Sequence, residues 1–387
     1  MIKNTVIIVL IFIIMYQLTG YCQIDTLALN KLIKESRDSH SGGLAVWHND
    51  SLYTETYFGK QPQLINCHSV QKSIVGLAIG KLITDNKIDS VETPISAYYP
   101  EWKQGDKKKV TIEHIVSHTS GIEENHDPDE WNAPNKVQLA LCSNISEPPG
   151  TQFRYNTKAT YILHDLVKRV SGIRLDLYVA KEIFEPLQIK TYRWEYDSAG
   201  NPVSLMISAG ELIKIGKLIL KKGKIDNTQL VSEEWIKQSV SASQEHKPVY
   251  GFMWWLIPEK TEITIDKNII THIKDKGVNK DFIKKYSQLK GVYNGWDTFK
   301  VKVSEVFGHD WYKQFQKDLY PFANNTIKLE YSDKIIGYKA MGMHGQYIII
   351  YPEKNLIAAR MIKDSDKHDK KTTELIHFEK LVYELVK

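Results

Sequence analysis

Residues 68–80 read HSVQKSIVGLAIG, and this stretch decides the fold. Ser69 and Lys72 stand three residues apart at its start, and apolar residues then recur through Leu82 at helical spacing. Positions i and i+3 of a helix lie on one face, so the Lys72 amine is expected beside the Ser69 hydroxyl. The pattern predicts a largely buried helix with a Ser-x-x-Lys pair in its first turn, where the helix dipole favours developing negative charge.

The Ser-x-x-Lys motif carries little information when it stands alone. A second match, Ser287 to Lys290, lies in a polar, lysine-rich stretch and shows how readily chance produces the spacing. A purely structural interpretation of the first match is a serine that caps a helix, with a solvated lysine one turn later. Further motifs are therefore needed before a nucleophile is assigned.

Composition narrows the class of protein. The chain has 387 residues, of which 42% are hydrophobic and 25% charged, and these values exclude a disordered, collagenous or multi-spanning membrane protein. The formal net charge is +5, without a dense stripe of Lys and Arg among aromatic residues, so no nucleic-acid partner is expected. Three cysteines are too few and too scattered for a disulfide scaffold or a Cys-rich zinc site.

The N-terminus resembles a signal peptide. Lys3 precedes a short apolar run, and Gly20 and Cys22 supply small residues before a cleavage site at Gln23. We therefore expect residues 1–22 to be removed and the mature protein, without a membrane span, to be periplasmic or secreted. Lipidation of Cys22 is the alternative, which the bulky Tyr21 disfavours. The sequence leaves open whether the remaining Cys67 and Cys142 pair or stay free.

Strand patterns lie near both ends of the chain, and helix patterns lie between them. This order predicts an α+β protein in which residues 23–68 and 191–387 form a sheet domain and residues 69–190 a mainly helical domain. Residues 258–340 are rich in aromatic side chains separated by lysines, so we expect a folded, mostly helical insertion subdomain there. Its role is either a lid or substrate wall, or a peripheral decoration or dimer contact.

Six further stretches follow the expected order of one known superfamily. They are SGGLAVWHNDSLYTETYFG (41–59), IVSHTSGI (115–122), PGTQFRYNTKATYIL (149–163), MISAGELIKIGKLIL (206–220), YGFMWWL (250–256) and GMHGQYIIIYPEKNLIAAR (342–360). Together with residues 68–80 they resemble the serine β-lactamase and penicillin-recognising superfamily, on the branch of class C β-lactamases, related esterases and aminohexanoate-oligomer hydrolases. The resemblance implies a β-lactamase-like (DD-peptidase-like) fold, an antiparallel sheet flanked by helices with an inserted all-helical domain, and no metal or cofactor.

The resemblance also implies roles for individual residues. Ser69 would be the acylated nucleophile, Lys72 its hydrogen-bonding partner and Tyr155 the residue that shuttles a proton. The backbone N–H groups of Ser69 and Gln346 would form the oxyanion hole, with Gly345 letting the substrate approach the strand edge. Whether Lys72 or Tyr155 acts as the base stays open at this point.

Two positions depart from the pattern of many relatives. The tyrosine motif is Tyr155-Asn156-Thr157, so Thr157 stands where Tyr-x-Asn has asparagine, as in the aminohexanoate-oligomer hydrolase branch. The third motif is His344-Gly345-Gln346 in place of Lys-Thr-Gly, so the lysine that clamps a β-lactam carboxylate is absent. These departures disfavour β-lactam recognition. For His344 itself, substrate contact and hydrogen-bonded packing are both open.

Two clusters could suggest a metal and are better explained otherwise. His114 and His118 are four residues apart, but Ile115 stands where a zincin would have glutamate. The acidic residues between Glu123 and Glu130 are expected to be solvated. No metal site is predicted.

The sequence thus favours a serine hydrolase that cleaves an ester or amide bond, including a peptide-like one, through an acyl-enzyme on Ser69. Its partner would be a small-molecule or short peptide-like substrate. The alternative is a penicillin-binding-like protein that recognises cell-wall peptides with little turnover. The substrate class (ester, amide, D-peptide or β-lactam) and the oligomeric state are left open.

Overall fold

The structure is a computed structural model that describes residues 23–59, 61–124, 132–308, 310–320, 322, 325–363, 375 and 377–387. The predicted signal peptide and the acidic residues Asp127, Asp129 and Glu130 lie outside these residues. Within the described ranges, no helix combines the length and the apolar character needed to cross a membrane. The thiols of Cys67, which is buried, and Cys142, which is exposed, are both free.

Helices and strands follow one another in a mixed order along the described chain. The α-helices are α1 (Thr26–Asp38), α2 (Val70–Thr84), α3 (Ile112–Val116), α4 (Lys136–Cys142), α5 (Thr157–Ser171), α6 (Leu175–Val179), α7 (Ala209–Leu220), α8 (Glu233–Ser239), α9 (Lys267–Asp275), α10 (Lys280–Tyr286), α11 (Trp296–Phe307), α12 (Trp311–Asp318) and α13 (Phe378–Tyr383). The strands are β1 (Ser41–His48), β2 (Ser51–Tyr57), β3 (Ile65–Asn66), β4 (Tyr192–Tyr196), β5 (Pro202–Ile207), β6 (Lys224–Ile225), β7 (Thr228–Gln229), β8 (Trp255–Pro258), β9 (Thr261–Ile265), β10 (Gly291–Asn294), β11 (Lys328–Tyr331), β12 (Ile335–Gly342), β13 (Gln346–Tyr351) and β14 (Leu356–Ile362).

A six-stranded antiparallel sheet joins the two ends of the chain. Its order is β2-β1-β14-β13-β12-β8, and every residue of β1 and β14 is buried. Because side chains alternate along a strand, Leu44 and Val46 face the apolar cluster that includes α1 and α13, whereas Ala45 and Trp47 face the cluster that includes α7. The sheet is therefore covered on both faces, which confirms the predicted α+β class.

Helix α2 lies where the helices of residues 70–184 meet this sheet. Its residues are buried around most of its circumference, as the continuous apolar run predicts. It packs against α5, α6 and α8 and also against strands β12 and β13 of the sheet. This position places the first turn of α2, and the Ser-x-x-Lys pair with it, at the boundary between the sheet and the helices.

The insertion leaves and re-enters the sheet at one point. Pro258 and Ile335 are cross-strand partners of β8 and β12, so residues 259–334 form a closed excursion. They contain α9 to α12 and a second antiparallel sheet of order β10-β9-β11, around a separate hydrophobic cluster that includes Ile263, Phe282 and Phe315. The expectation of a mostly helical insertion is thus incomplete, because it missed this sheet.

The expected limits of the insertion, 258–340, also need correction. Pro258 and residues 335–340 belong to strands of the main sheet. Strand β12 has only two fully buried residues, Gly337 and Ala340, so it lacks the strict alternation that marks a half-buried strand in sequence.

We predict that Gly80→Ala destabilises the protein by about 1–3 kcal/mol, the usual cost of overpacking. A Cβ at position 80 would overlap the indole of the buried Trp235 on α8. Gly76→Ala is the matched control on the same helix, because a Cβ there would lie 3.4 Å from Met253 Cβ, an ordinary contact. The control should be neutral or gain up to about 1 kcal/mol. Urea unfolding measures both; equal effects would contradict the proposed close packing of α2 and α8.

A second prediction concerns His164, whose ring is buried on α5 and whose Nδ1 lies 2.9 Å from the Pro202 carbonyl. Burial lowers the pKa of His164 from its ordinary 6.5 to about 4. The unfolded chain therefore binds one more proton than the native protein between about pH 6.5 and 4, so stability falls as the pH falls, by up to about 1.4 kcal/mol per pH unit. His164→Gln should flatten this acid limb in urea unfolding between pH 7 and 4.5. The exposed His246→Gln is the control, and an unchanged slope in His164→Gln would refute the assignment.

Candidate active site

Ser69 and Lys72 meet at the start of α2. Ser69 immediately precedes the helix, and its side chain makes no capping hydrogen bond. Lys72 is only 7% exposed, and its Nζ donates a hydrogen bond to Ser69 Oγ at 3.0 Å. The interpretation of a capping serine with a solvated lysine is therefore wrong. The amine and the hydroxyl are close enough to exchange a proton.

Tyr155 lies next to this pair. Lys72 Nζ is 5.0 Å from the centroid of the Tyr155 ring. The following residue, Asn156, fixes the backbone here: its Oδ1 accepts from the Ala159 N–H at 2.7 Å, which caps α5, and its Nδ2 donates to the Ile122 carbonyl at 2.7 Å. The asparagine of the tyrosine motif thus holds the entry to α5, and the tyrosine projects beside Lys72.

An aromatic cluster supports the Tyr155 ring. The ring stacks on Trp255 with the centroids 6.0 Å apart, and Tyr250 meets both rings edge-on. His118 lies closest, with its centroid 4.4 Å from that of Tyr155. Sequence reasoning did not assign a role to Tyr250 or Trp255, although the stretch YGFMWWL that contains them was part of the resemblance.

His118 is a buried, neutral histidine in this cluster. Burial, and then the charge of Lys72, hold its pKa well below the ordinary value. Its Nδ1 accepts the Asn156 N–H at 3.2 Å, which leaves the proton on Nε2. His114 does something different, since its Nδ1 accepts the Thr111 N–H and caps α3. Among the described residues, no cluster of three His, Cys, Asp or Glu side chains could hold a metal ion.

The turn between β12 and β13 lies against the residues that precede Ser69. A Cβ on Gly342 would overlap the Cys67 carbonyl oxygen, so only glycine permits this approach. His344 and Gly345 adopt left-handed conformations, with φ of 66° and 89°. The His344 ring packs edge-on against that of His68, 5.4 Å away between centroids. Sequence reasoning missed the close backbone approach at Gly342. The expected approach of the substrate at Gly345 is a separate point and stays a prediction.

Gln346 is anchored by its side chain where β13 begins. The side chain is buried; its Nε2 donates to the Ile362 carbonyl at 2.6 Å, and its Oε1 accepts the Ile362 N–H at 2.8 Å. These two bonds extend the pairing of β13 with β14 by one position. The Gln346 side chain is therefore held by these structural hydrogen bonds. Only the backbone N–H of Gln346 is left for the oxyanion-hole role that the resemblance implies.

A cavity of about 350 Å³ opens beside Ser69. Ser69, Lys72 and Thr157 line it together, and His68 connects it to His344. Its lining also includes the polar residues Lys136, His164 and Glu195. These last residues come from three separate elements and share no motif, so no local signal in the sequence pointed to them.

Residues 29–210 match the family model described as Beta-lactamase. An uncharacterized protein of Alkalihalophilus pseudofirmus is 24% identical over 273 residues, which cover 60% of this chain and 76% of that protein. Esterase EstB of Burkholderia gladioli is 24% identical over 152 residues, 34% of this chain and 38% of the esterase.

Solved structures share the whole fold. A candidate β-lactamase from Bacteroides dorei superposes with a TM-score of 0.65 at 15% identity and covers 94% of this chain and 99% of its own. A candidate 6-aminohexanoate-dimer hydrolase from Bacillus anthracis gives a TM-score of 0.60 at 15% identity, over 91% and 81% of the two chains. The β-lactamase-like fold that the sequence predicts is thereby confirmed. The match to the Beta-lactamase family model, which spans just under half of the chain, agrees with this fold.

Proposed function

We propose that this protein is a serine hydrolase that cleaves an ester or amide bond through an acyl-enzyme on Ser69. The observation that carries the proposal is the hydrogen bond of 3.0 Å between Lys72 Nζ and Ser69 Oγ at the wall of a cavity. A serine hydroxyl is a poor nucleophile until an adjacent base takes its proton. The match of residues 29–210 to the Beta-lactamase family model and the likeness to an esterase support the class of hydrolase.

The proposed reaction has three steps: attack by Ser69, loss of the leaving group and hydrolysis of the acyl-enzyme. Ser69 Oγ attacks the substrate carbonyl carbon while its proton passes to the neutral amine of Lys72 or, through Lys72, to the phenolate form of Tyr155. The bond from that carbon to the leaving oxygen or nitrogen breaks, and the leaving group departs with the proton as an alcohol or amine. Water then attacks the acyl-enzyme, releases the acid and restores the proton on Ser69.

The negative charge of the tetrahedral intermediate requires hydrogen-bond donors. Ser69 precedes the positive end of the α2 dipole, which favours such a charge. We assign the Ser69 and Gln346 N–H groups as donors, because the Gly342 approach to Cys67 brings the start of β13 beside the start of α2. Donors held in place in this way typically contribute 10² to 10³ in rate each.

Two features bear on the substrate. The cavity of about 350 Å³ has the size of a site for a small molecule or a short peptide. His344 and Thr157 replace the lysine and asparagine of related sites, which disfavours a β-lactam and favours an ester or a simple amide. We also retain the proposal that residues 1–22 direct export and are cleaved before Gln23.

We predict that Ser69→Ala abolishes ester hydrolysis and labelling by a fluorophosphonate probe, with the fold unchanged by circular dichroism. The matched control is Ser287→Ala in the second Ser-x-x-Lys match, where Ser287 Oγ donates to the Ile283 carbonyl at 2.7 Å. The control should keep wild-type activity. Hydrolysis by Ser69→Ala would refute the proposal, and labelling of Ser69 without turnover would favour the recognition protein instead.

The insertion contacts a loop that leads to the aromatic cluster around Tyr155. Lys247 Nζ donates to the Tyr331 hydroxyl of β11 at 3.0 Å, and His246 Nε2 lies 3.1 Å from the Gly150 carbonyl. The same loop continues to Tyr250, which packs against Tyr155. We propose that the insertion holds this loop and so restricts the substrates that reach Ser69.

Replacing residues 259–334 with Asn-Gly should test the restriction, because Pro258 and Ile335 already face each other and a two-residue turn can join them. We predict that the ratio of kcat/KM for large over small esters rises at least about tenfold. Tyr331→Phe is the matched control that removes only the hydrogen bond to Lys247. A folded, active deletion variant with an unchanged ratio would make the insertion a peripheral decoration or dimer contact.

A further inference from the structure

A buried arginine lies behind the proposed oxyanion hole. Arg360 is on β14, is 0% exposed and faces Tyr347, the second residue of β13. A guanidinium in the interior costs free energy unless its N–H groups are hydrogen-bonded. The partners of this guanidinium therefore indicate why the chain keeps a charged residue in the middle of the sheet.

The Arg360 guanidinium joins three segments of chain. Nε donates to Ser41 Oγ at 2.8 Å at the start of β1, and Nη2 donates to Ser39 Oγ and to the Ser39 carbonyl at 3.1 and 3.3 Å. Nη1 donates to the Gly345 carbonyl at 2.8 Å. Gly345 is the left-handed residue that turns the chain into β13.

The Gly345 carbonyl and the Gln346 N–H are the two ends of one peptide group. A cationic donor on the carbonyl oxygen draws electron density from the amide, so the N–H at the other end becomes a stronger donor. The surroundings are buried, and a low local dielectric strengthens this polarisation. The same bond also fixes the plane of the peptide, and with it the direction of the N–H.

We propose that Arg360 is a positioning residue that orients and polarises the Gly345–Gln346 peptide and thereby strengthens oxyanion binding. This inference rests on the proposed function, in which the Gln346 N–H is an oxyanion donor. Arg360 touches neither the substrate nor Ser69 and acts only through this peptide. The rival explanation is purely structural: the guanidinium holds the end of α1 and the start of β1 through Ser39 and Ser41.

An ester and its thionoester separate the two explanations. The sulfur of a thiocarbonyl accepts hydrogen bonds poorly, so the ratio of kcat/KM for ester over thionoester reports the strength of the oxyanion donors. A structural defect lowers both rates by the same factor and leaves the ratio unchanged. A weaker Gln346 N–H lowers the ester rate more.

The variants are Arg360→Gln, which keeps a neutral donor, and Arg360→Lys, which keeps the charge. If one donor contributes 10² to 10³ and polarisation supplies about 10–30% of its effect, Arg360→Gln should lower the ratio roughly two- to eightfold. Arg360→Lys should fall between this variant and the wild type. Ser41→Ala, which removes another partner of the same guanidinium, should leave the ratio unchanged.

A ratio that stays at the wild-type value in folded Arg360→Gln overturns the inference, and so does a ratio that falls equally in Ser41→Ala. If thermal unfolding shows that Arg360→Gln does not fold, Arg360→Lys becomes the test of the inference, because a lysine cannot reach all three segments at once. It must then lower the ratio below the value for Ser41→Ala. Failure of the proposed function would give a different result from failure of this inference. Wild-type hydrolysis would then not depend on Ser69, whatever the Arg360 variants do.

Discussion

The structure depends on the burial of an amine beside a hydroxyl. Lys72 is nearly inaccessible on a helix that is apolar around most of its surface, and an unpartnered amine there would be costly. The Ser69 hydroxyl and the face of the Tyr155 ring are the partners that offset this cost. The elements around α2 can therefore be understood as the means of bringing polar and aromatic groups to one buried nitrogen.

Local patterns predicted the parts of the fold that are locally determined. Helix α2 and the strands near both ends of the chain lie in the structure where the sequence predicts them, because such elements are fixed by side-chain periodicity and by turn residues. Ser69 and Lys72 were singled out by their spacing, and Tyr155 by the resemblance to a known superfamily. Their assigned roles remain proposals, whereas their proximity is a feature of the structure.

Long-range contacts explain what the sequence did not reveal. Gly342 is required only because the Cys67 carbonyl passes next to it, some 275 residues earlier in the chain. Arg360 looks like an ordinary strand residue until Ser39, Ser41 and Gly345 are seen around it. The sheet of the insertion was missed for a related reason: its strands of four or five residues are too short to show a clear period.

The two Ser-x-x-Lys matches show why spacing alone does not make a nucleophile. Ser287 follows α10 in a short helical turn, and its hydroxyl donates a hydrogen bond to the Ile283 carbonyl one turn back. Ser69 has the same local sequence pattern, but its helix begins at the sheet boundary, where the Lys72 amine reaches the hydroxyl and a cavity opens in front of it. The difference is the environment of the helix start, which neighbouring elements supply. A reactive serine in this fold is thus a property of the packing around α2 rather than of the four residues of the motif.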